Sequence, residues 1–120
     1  MAKVLIIDDS PTEQYMLQKM AENGGHEAVT SGDAEEGIKM AASEKPDIIL
    51  MDVVMPGMSG FQATRKLNKD AETSSIPVII VTTKDQETDR IWGLRQGALD
   101  YVTKPVKEKE LLAKIKAALG

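Results

Sequence analysis

The chain has 120 residues, with 15 Lys and Arg against 19 Asp and Glu, and it has no cysteine. This length accommodates one domain around one hydrophobic core, and the lack of cysteine excludes disulfides and thiolate metal sites. The formal charge of -4 argues against nonspecific nucleic-acid binding, which depends on basic side chains. No apolar run approaches the roughly 20 residues of a membrane span. We therefore expect a cytoplasmic protein that neither inserts into a membrane nor binds nucleic acid directly.

Five short apolar runs alternate with longer amphipathic segments along the chain. This alternation predicts strand-helix units around a parallel sheet that is buried on both faces. The predicted strands are Lys3–Ile7, Glu27–Thr30, Asp47–Met51, Val78–Val81 and Leu99–Val102. We therefore expect one α/β domain over residues 1–120.

Three helix starts are marked by a capping residue that is followed three positions later by Glu or Gln, the spacing of a capping box. The pairs are Ser10 with Glu13, Asp33 with Glu36, and Ser59 with Gln62. Gly24-Gly25 and Gly97 stand where helices should end, because glycine adopts the left-handed conformation most easily. Apolar residues at helical spacing predict a last helix from about Lys107 to Leu119.

Acidic residues follow two of the predicted strands. Asp8 and Asp9 come directly after the first strand, and Asp52 follows the third. Ligands bind at the carboxyl ends of the strands in open parallel sheets, so these carboxylates should lie close together. Two unit charges 4 Å apart repel by roughly 4 kcal/mol at an effective dielectric constant near 20, so such a cluster calls for a cation or raised pKa values. Each acid alone would equally suit a helix cap, but together they suit Mg²⁺.

A hydroxyl and an ammonium occupy the corresponding positions after the last two strands. Thr82 follows the fourth strand and Lys104-Pro105 follows the fifth. A cis bond is accessible before proline and would direct Lys104 over the acids. In isolation, Lys104 would suit a surface and Thr82 would suit any strand. With the three acids, they make up the parts of a Mg²⁺-assisted phosphoryl acceptor.

The order Asp8-Asp9, Asp52, Thr82, Tyr101 and Lys104-Pro105, with Met55-Pro56-Gly57-Met58-Ser59-Gly60 after Asp52, resembles the receiver domains of two-component response regulators. The resemblance covers the whole chain. It implies a doubly wound five-stranded parallel sheet in the order 2-1-3-4-5, with two helices on one face and three on the other.

The same resemblance implies a phosphorelay function and a role for each residue of the site. A histidine kinase would be the phosphodonor, and the domain would catalyse only its own phosphorylation and dephosphorylation. An unidentified protein target would bind the face formed by the fourth helix, the fifth strand and the fifth helix. The resemblance implies that Asp52 is the phosphoacceptor and that Lys104 is the cation that binds the phosphoryl group. It implies that Asp9, Asp52 and the backbone carbonyl of Val54 bind Mg²⁺ directly, and that Asp8 does so through water. Thr82 and Tyr101 would form the switch.

Two segments allow a narrower comparison. The opening Asp8–Glu13 and the run Ile76–Asp89 are similar to single-domain receivers of type IV pilus twitching-motility systems. This similarity implies a chemotaxis-type histidine kinase as donor and a role in pilus retraction or extension. The domain would act there either as an output or as a phosphate sink.

Other interpretations stay open from the sequence. A Mg²⁺-dependent aspartyl phosphohydrolase would carry its two aspartates two positions apart, whereas Asp8 and Asp9 are adjacent. A flavodoxin-like cofactor binder would need a glycine- and hydroxyl-rich loop, and Asp8-Asp9 would repel its phosphate. The chain could also be the receiver part of a longer regulator. The single tryptophan, Trp92, suits either core packing or an exposed anchor for a partner.

Overall fold

Five parallel strands lie at the centre of the protein, with helices on both faces. The computed structural model describes residues 1–120. The strands are β1 Lys3–Ile7, β2 Glu27–Ser31, β3 Ile48–Met51, β4 Val78–Thr82 and β5 Asp100–Thr103. The helices are α1 Pro11–Asn23, α2 Ala34–Glu44, α3 Gly60–Lys69, α4 Glu87–Arg95 and α5 Glu108–Leu119. The strand order is β2-β1-β3-β4-β5 with parallel pairing throughout, so the expected fold is confirmed.

The strand boundaries differ from the prediction by one residue at several ends. The second strand continues to Ser31, and the third begins at Ile48. The fourth strand includes Thr82, because Thr82 pairs with Thr103 in the β4–β5 ladder. The fifth strand is correspondingly shifted to Asp100–Thr103. Thr82 is therefore the last residue of its strand, which fixes its backbone more firmly than a loop position would.

Alternate residues of the strands fill two hydrophobic layers, one on each face of the sheet. One layer packs against α1 and α5 and is built on Val4, Ile6, Ile48, Leu50, Ile79, Val81 and Val102. The other packs against α2 and α3 and is built on Leu5, Ile7, Ile49, Met51 and Val78. Helix α4 covers the end of this second face, where Gly93 lies against Ile80 and Tyr101. Because side chains alternate between faces, continuous apolar strands supply both layers.

The three predicted helix starts are confirmed, but only one closes a full capping box. The side chains of Ser10, Asp33 and Ser59 each accept a hydrogen bond from the backbone N–H three residues later. Only Gln62 returns a side-chain bond to its cap residue. The carboxylate of Glu13 instead pairs with Lys104, which follows β5.

The apolar residues of α4 are partly exposed to solvent. Trp92 is 50% exposed, and Ile91 and Leu94 of the same helix are also exposed, as is Leu99 just before β5. This exposure favours the anchor interpretation of Trp92 over core packing, and Gly93 of the same helix lies against Ile80 and Tyr101. We call Ile91, Trp92, Leu94 and Leu99 the α4 patch. Neither this helix nor any other has the length and apolar character needed to cross a membrane.

Candidate functional site

The carboxyl ends of β1, β3, β4 and β5 bring the predicted site residues to one edge of the sheet. The backbone N–H of Asp52 donates to the carbonyl of Ile7, which aligns the end of β3 with the end of β1. The backbone N–H of Lys104 donates to the carbonyl of Thr82, which aligns β5 with β4. Ladder pairing thus assembles the site from residues that are distant in sequence.

The three predicted acids form one cluster. Carboxylate oxygens of Asp8, Asp9 and Asp52 all lie within 4.8 Å of one another. Asp8 is only 1% exposed and Asp52 is also buried, whereas Asp9 faces solvent. Backbone N–H groups orient the buried pair: Ser10 donates to Asp8 Oδ1 at 2.9 Å and Val54 donates to Asp52 Oδ1 at 3.3 Å. The cluster therefore offers oxygen ligands on both its buried and its open side.

Glycine is required behind the central acid. A side chain at Gly60 would collide with the backbone carbonyl of Asp52. The first residue of α3 can pack this closely only because it lacks a Cβ. This contact holds the loop after β3 against the acidic cluster.

The predicted lysine lies over the acids. Lys104 Nζ is 2.8 Å from Asp8 Oδ2, 3.4 Å from Asp52 Oδ2 and 3.3 Å from Glu13 Oε1. Its side chain is 9% exposed, and the Lys104-Pro105 peptide bond is cis. One ammonium thus contacts three carboxylates in a pocket that holds four, counting Asp9.

Burial and charge act in opposite directions on the pKa values of this pair. Burial raises the pKa of Asp8, and the bonds donated by Lys104 and Ser10 offset this only in part. Burial by itself would lower the pKa of Lys104. The hydrogen bond to Asp8 and the charges of Asp52 and Glu13 outweigh it, so the pKa of Lys104 is raised. The pocket therefore holds a firmly charged lysine and is short of positive charge.

The two predicted switch residues are connected through one loop residue. Thr82 is fully buried, and its Oγ1 accepts from the backbone N–H of Lys84 at 3.4 Å. The Tyr101 hydroxyl donates to the backbone carbonyl of Lys84 at 2.7 Å, with the ring buried. Burial, followed by the charges of Asp89, Asp52 and Asp85, raises the pKa of Tyr101 to about 12. The hydroxyl therefore stays protonated and keeps donating at neutral pH.

Three residues of the site were missed from the sequence. Glu13 was interpreted only as part of a cap, and Lys84 acts through its backbone. Gln14 Nε2 donates to the carbonyl of Asp8 at 2.6 Å and so braces the end of β1. The position of Glu13 in the first turn of α1, directly after the paired acids, was the one available signal.

Comparison with known proteins decides the family. Residues 4–116 match the model of the response regulator receiver domain. The chain belongs to the receiver family of response regulators. This receiver domain is 62% identical to Protein PilH from Pseudomonas aeruginosa over 120 residues, which covers 100% of this chain and 99% of PilH. Several other relatives are transcriptional regulatory proteins, and the chain spans about half of their length.

Solved structures agree with this assignment. The receiver domain superposes on the Vibrio cholerae chemotaxis protein CheY4 with a TM-score of 0.92 at 29% identity, over 99% of each chain. It also matches the receiver domain of the sensor histidine kinase PA1611 from P. aeruginosa, with a TM-score of 0.91 at 28% identity over 99% of this chain and 98% of that one. That structure has a magnesium ion coordinated in its active-site cleft. The chain is thus a signalling domain rather than a classical enzyme.

Proposed function

We propose that this receiver domain accepts a phosphoryl group on Asp52 from the phosphohistidine of a histidine kinase and signals by protein contact. The observation that supports this most strongly is the position of Lys104 Nζ, 2.8 Å from Asp8 and 3.4 Å from Asp52. A buried ammonium beside the acceptor carboxylate can contact phosphoryl oxygens as they arrive.

The transfer needs positioning and charge neutralisation more than it needs acid-base chemistry. A carboxylate oxygen of Asp52 forms a bond to phosphorus while the bond from phosphorus to the imidazole nitrogen breaks. The electron pair of the broken bond stays on that nitrogen. The Asp52 carboxylate has no proton to lose, so no general base is required. Lys104 neutralises charge on the phosphoryl oxygens, and the Thr82 hydroxyl supplies a hydrogen bond to one of them.

The residues present fit a magnesium ion. The pocket holds four carboxylates and one ammonium, and Mg²⁺ prefers a few carboxylate oxygens with water completing its shell. We propose Asp8, Asp9, Asp52 and the backbone carbonyl of Val54 as the groups that hold it, with Asp8 acting mainly through water. When bound, Mg²⁺ supplies positive charge to the phosphoryl oxygens. The ion in the PA1611 receiver supports this assignment.

The proposed switch links the phosphoryl group to the α4-β5-α5 face. A phosphoryl group on Asp52 brings strong hydrogen-bond acceptors, which would draw the Thr82 hydroxyl away from the Lys84 N–H. The backbone carbonyl of Lys84 also accepts a hydrogen bond from Tyr101. The loop, the ring and α4 would therefore move together from one conformation to another. The exposed α4 patch suits a protein target at this face.

The similarity to PilH suggests a pathway. Identity of 62% over nearly the whole of both chains supports a stand-alone domain over residues 1–120 that acts in type IV pilus twitching motility. The donor would be a chemotaxis-type histidine kinase, and the domain would work in the cytoplasm as an output or as a phosphate sink. Its only catalysis would be of its own phosphorylation and dephosphorylation. With a net charge of -4, direct DNA binding forms no part of the proposal.

Labelling of Asp52 tests the acceptor role. The wild-type chain, Asp52→Asn and Asp70→Asn are each incubated with Mg²⁺ and phosphoramidate, and the mass increase of one phosphoryl group is followed. Asp70 is an exposed acid in the turn after α3 and serves as the matched control. We expect labelling of the wild type and of Asp70→Asn, and none of Asp52→Asn. Equal labelling of Asp52→Asn would remove the proposal.

The same assay separates the receiver from a phosphohydrolase. A hydrolase would turn over small phosphate esters repeatedly without accumulating phosphate on Asp52. A receiver should leave such esters intact while becoming labelled by phosphoramidate. Omission of Mg²⁺ should abolish the labelling of a receiver by phosphoramidate.

A further inference from the structure

Lys104 has one carboxylate partner that does not come from a strand end. Glu13 Oε1 lies 3.3 Å from Lys104 Nζ, and Glu13 belongs to the first turn of α1. The side chains of Asp8 and Asp52 are almost fully buried, whereas that of Glu13 is 31% exposed. Glu13 therefore stands at the solvent-facing rim of the pocket.

The local hydrogen bonds explain why Glu13 turns towards the lysine. In a closed capping box, its carboxylate would accept from the backbone N–H of Ser10. That N–H donates to Asp8 Oδ1 instead, at 2.9 Å. The Glu13 carboxylate is left without a partner on its own helix and pairs with Lys104 across the pocket.

A phosphoryl group that enters must take over the ammonium of Lys104. Asp8 holds it most closely, at 2.8 Å, and is buried. Glu13 is the exposed partner and the one that can be displaced into water at least cost, because solvent can hydrate its freed carboxylate. Until it leaves, its charge repels any donor that approaches with a net negative charge.

Building on the phosphoacceptor role of Asp52, we propose that Glu13, paired with Lys104 at the rim, is a specificity-determining residue that favours phosphodonors carrying a positive charge beside the phosphoryl group. Such a donor pairs its own cation with the displaced Glu13 carboxylate. For a dianionic donor without that cation, the repulsion from the Glu13 carboxylate is not compensated. The Glu13–Lys104 pair therefore discriminates between donors by the charge that lies beside the phosphoryl group.

Two small donors differ in this property. Acetyl phosphate is a dianion at neutral pH, and its transfer to Asp52 breaks the phosphorus-oxygen bond, leaving the electron pair on acetate. Phosphoramidate carries an ammonium directly on phosphorus. Its transfer breaks the phosphorus-nitrogen bond, and the pair leaves on neutral ammonia. Both form the same aspartyl phosphate, so differences in rate report on the approach of the donor.

The experiment compares both donors on three chains, namely the wild type, Glu13→Gln and Glu110→Gln. Glu110 is an exposed acid in the first turn of α5, so it matches Glu13 in helix position but lies outside the pocket. Second-order rate constants for phosphorylation are measured by intact mass at saturating Mg²⁺, which removes any effect of the variants on metal affinity.

We expect Glu13→Gln to raise the rate constant with acetyl phosphate by about fivefold. The rate constant with phosphoramidate should rise by about twofold or less, because the ammonium of this donor offsets part of its negative charge. The acetyl phosphate effect should shrink as salt is added, and Glu110→Gln should change neither rate. An equal change for both donors, or a slower reaction with acetyl phosphate, overturns the inference while leaving Asp52 as acceptor. Absence of labelling in the wild type overturns the proposed function itself.

Discussion

The phosphoryl pocket and the α4 patch break the usual distribution of residues in opposite ways. In the pocket, the charged side chains of Asp8, Asp52 and Lys104 are withdrawn from water. On the α4 patch, the large apolar side chain of Trp92 is left in water. Buried charges and clustered exposed apolar side chains are the informative exceptions in a folded protein. Because stability explains neither region, we propose both as places where the chain meets other molecules.

The contrast extends to how each region is held. Asp8, Asp52 and Thr82 lie at the ends of strands that are paired on both sides, and Lys104 follows the edge strand β5, which pairs only with β4. Helix α4 approaches the sheet closely at Gly93, beside Ile80 and Tyr101. Lys84 joins the two regions, with bonds to Thr82 and to Tyr101. A site held by strand ends and a helix with exposed apolar side chains, connected by one loop, suit the proposed switch.

The largest effect should come from removing the positive charge of the pocket. Lys104→Met is expected to lower the rate constant of phosphorylation by about 100-fold, because an electrostatic contact to the phosphoryl oxygens is lost. Lys114→Met is the control, since Lys114 forms an ion pair with Asp100 outside the pocket. Mass spectrometry with phosphoramidate measures both. A loss below about threefold would mean that Lys104 does not contact the phosphoryl group.

A smaller effect, on stability, should follow from relieving a buried charge. The pKa of Asp8 is raised by burial. Its contribution therefore favours folding where the acid is protonated, at low pH, and opposes folding once pH rises through the folded-state pKa. At pH 7 without Mg²⁺, Asp8→Asn should raise the free energy of unfolding by about 1.5 kcal/mol and the Tm by about 5 °C.

The pH dependence provides the check on that prediction. The gain in the free energy of unfolding should shrink as the pH is lowered towards the ordinary pKa of Asp. At that pH, Asp8 of the wild type is neutral as well. Asp70→Asn, an exposed replacement, should show no gain at either pH. Calorimetric melting curves that show Asp8→Asn less stable than the wild type at pH 7 would contradict the idea of a strained acidic pocket.

The smallest effect is expected on the α4 patch, in the free energy of unfolding. Trp92→Ala should lower the free energy of unfolding by about 1 kcal/mol or less, since half of the ring is already in water. Leu67→Ala, a truncation in the core, should cost about 3 kcal/mol. Phosphorylation by phosphoramidate should not change in Trp92→Ala. Denaturant titrations that give equal losses for the two variants would make Trp92 a core residue after all.

Local features of the sequence were sufficient to predict much of the fold. The caps at Ser10, Asp33 and Ser59 and the glycine stops depend on bonds between residues a few positions apart, and the apolar periodicity of each segment is visible within that segment. Strand ends were less certain, as Thr82 and Ser31 illustrate. Each of these residues belongs to a strand because a residue of the neighbouring strand pairs with it, Ile7 with Ser31 and Thr103 with Thr82.

The sequence by itself determined the identity of the chemical groups: acids after β1 and β3, a threonine at the end of β4 and a lysine after β5. Only the tertiary structure decided which groups meet. Lys104 and Asp8 are 96 positions apart, and Lys104 and Asp52 are 52 apart. Their contacts, the turn of Glu13 towards Lys104 and the exposure of Trp92 depend on how the crossover helices pack against the sheet. The physical reason is that capping and periodicity act within a few residues, whereas burial and ion pairing are fixed only when distant segments share one surface.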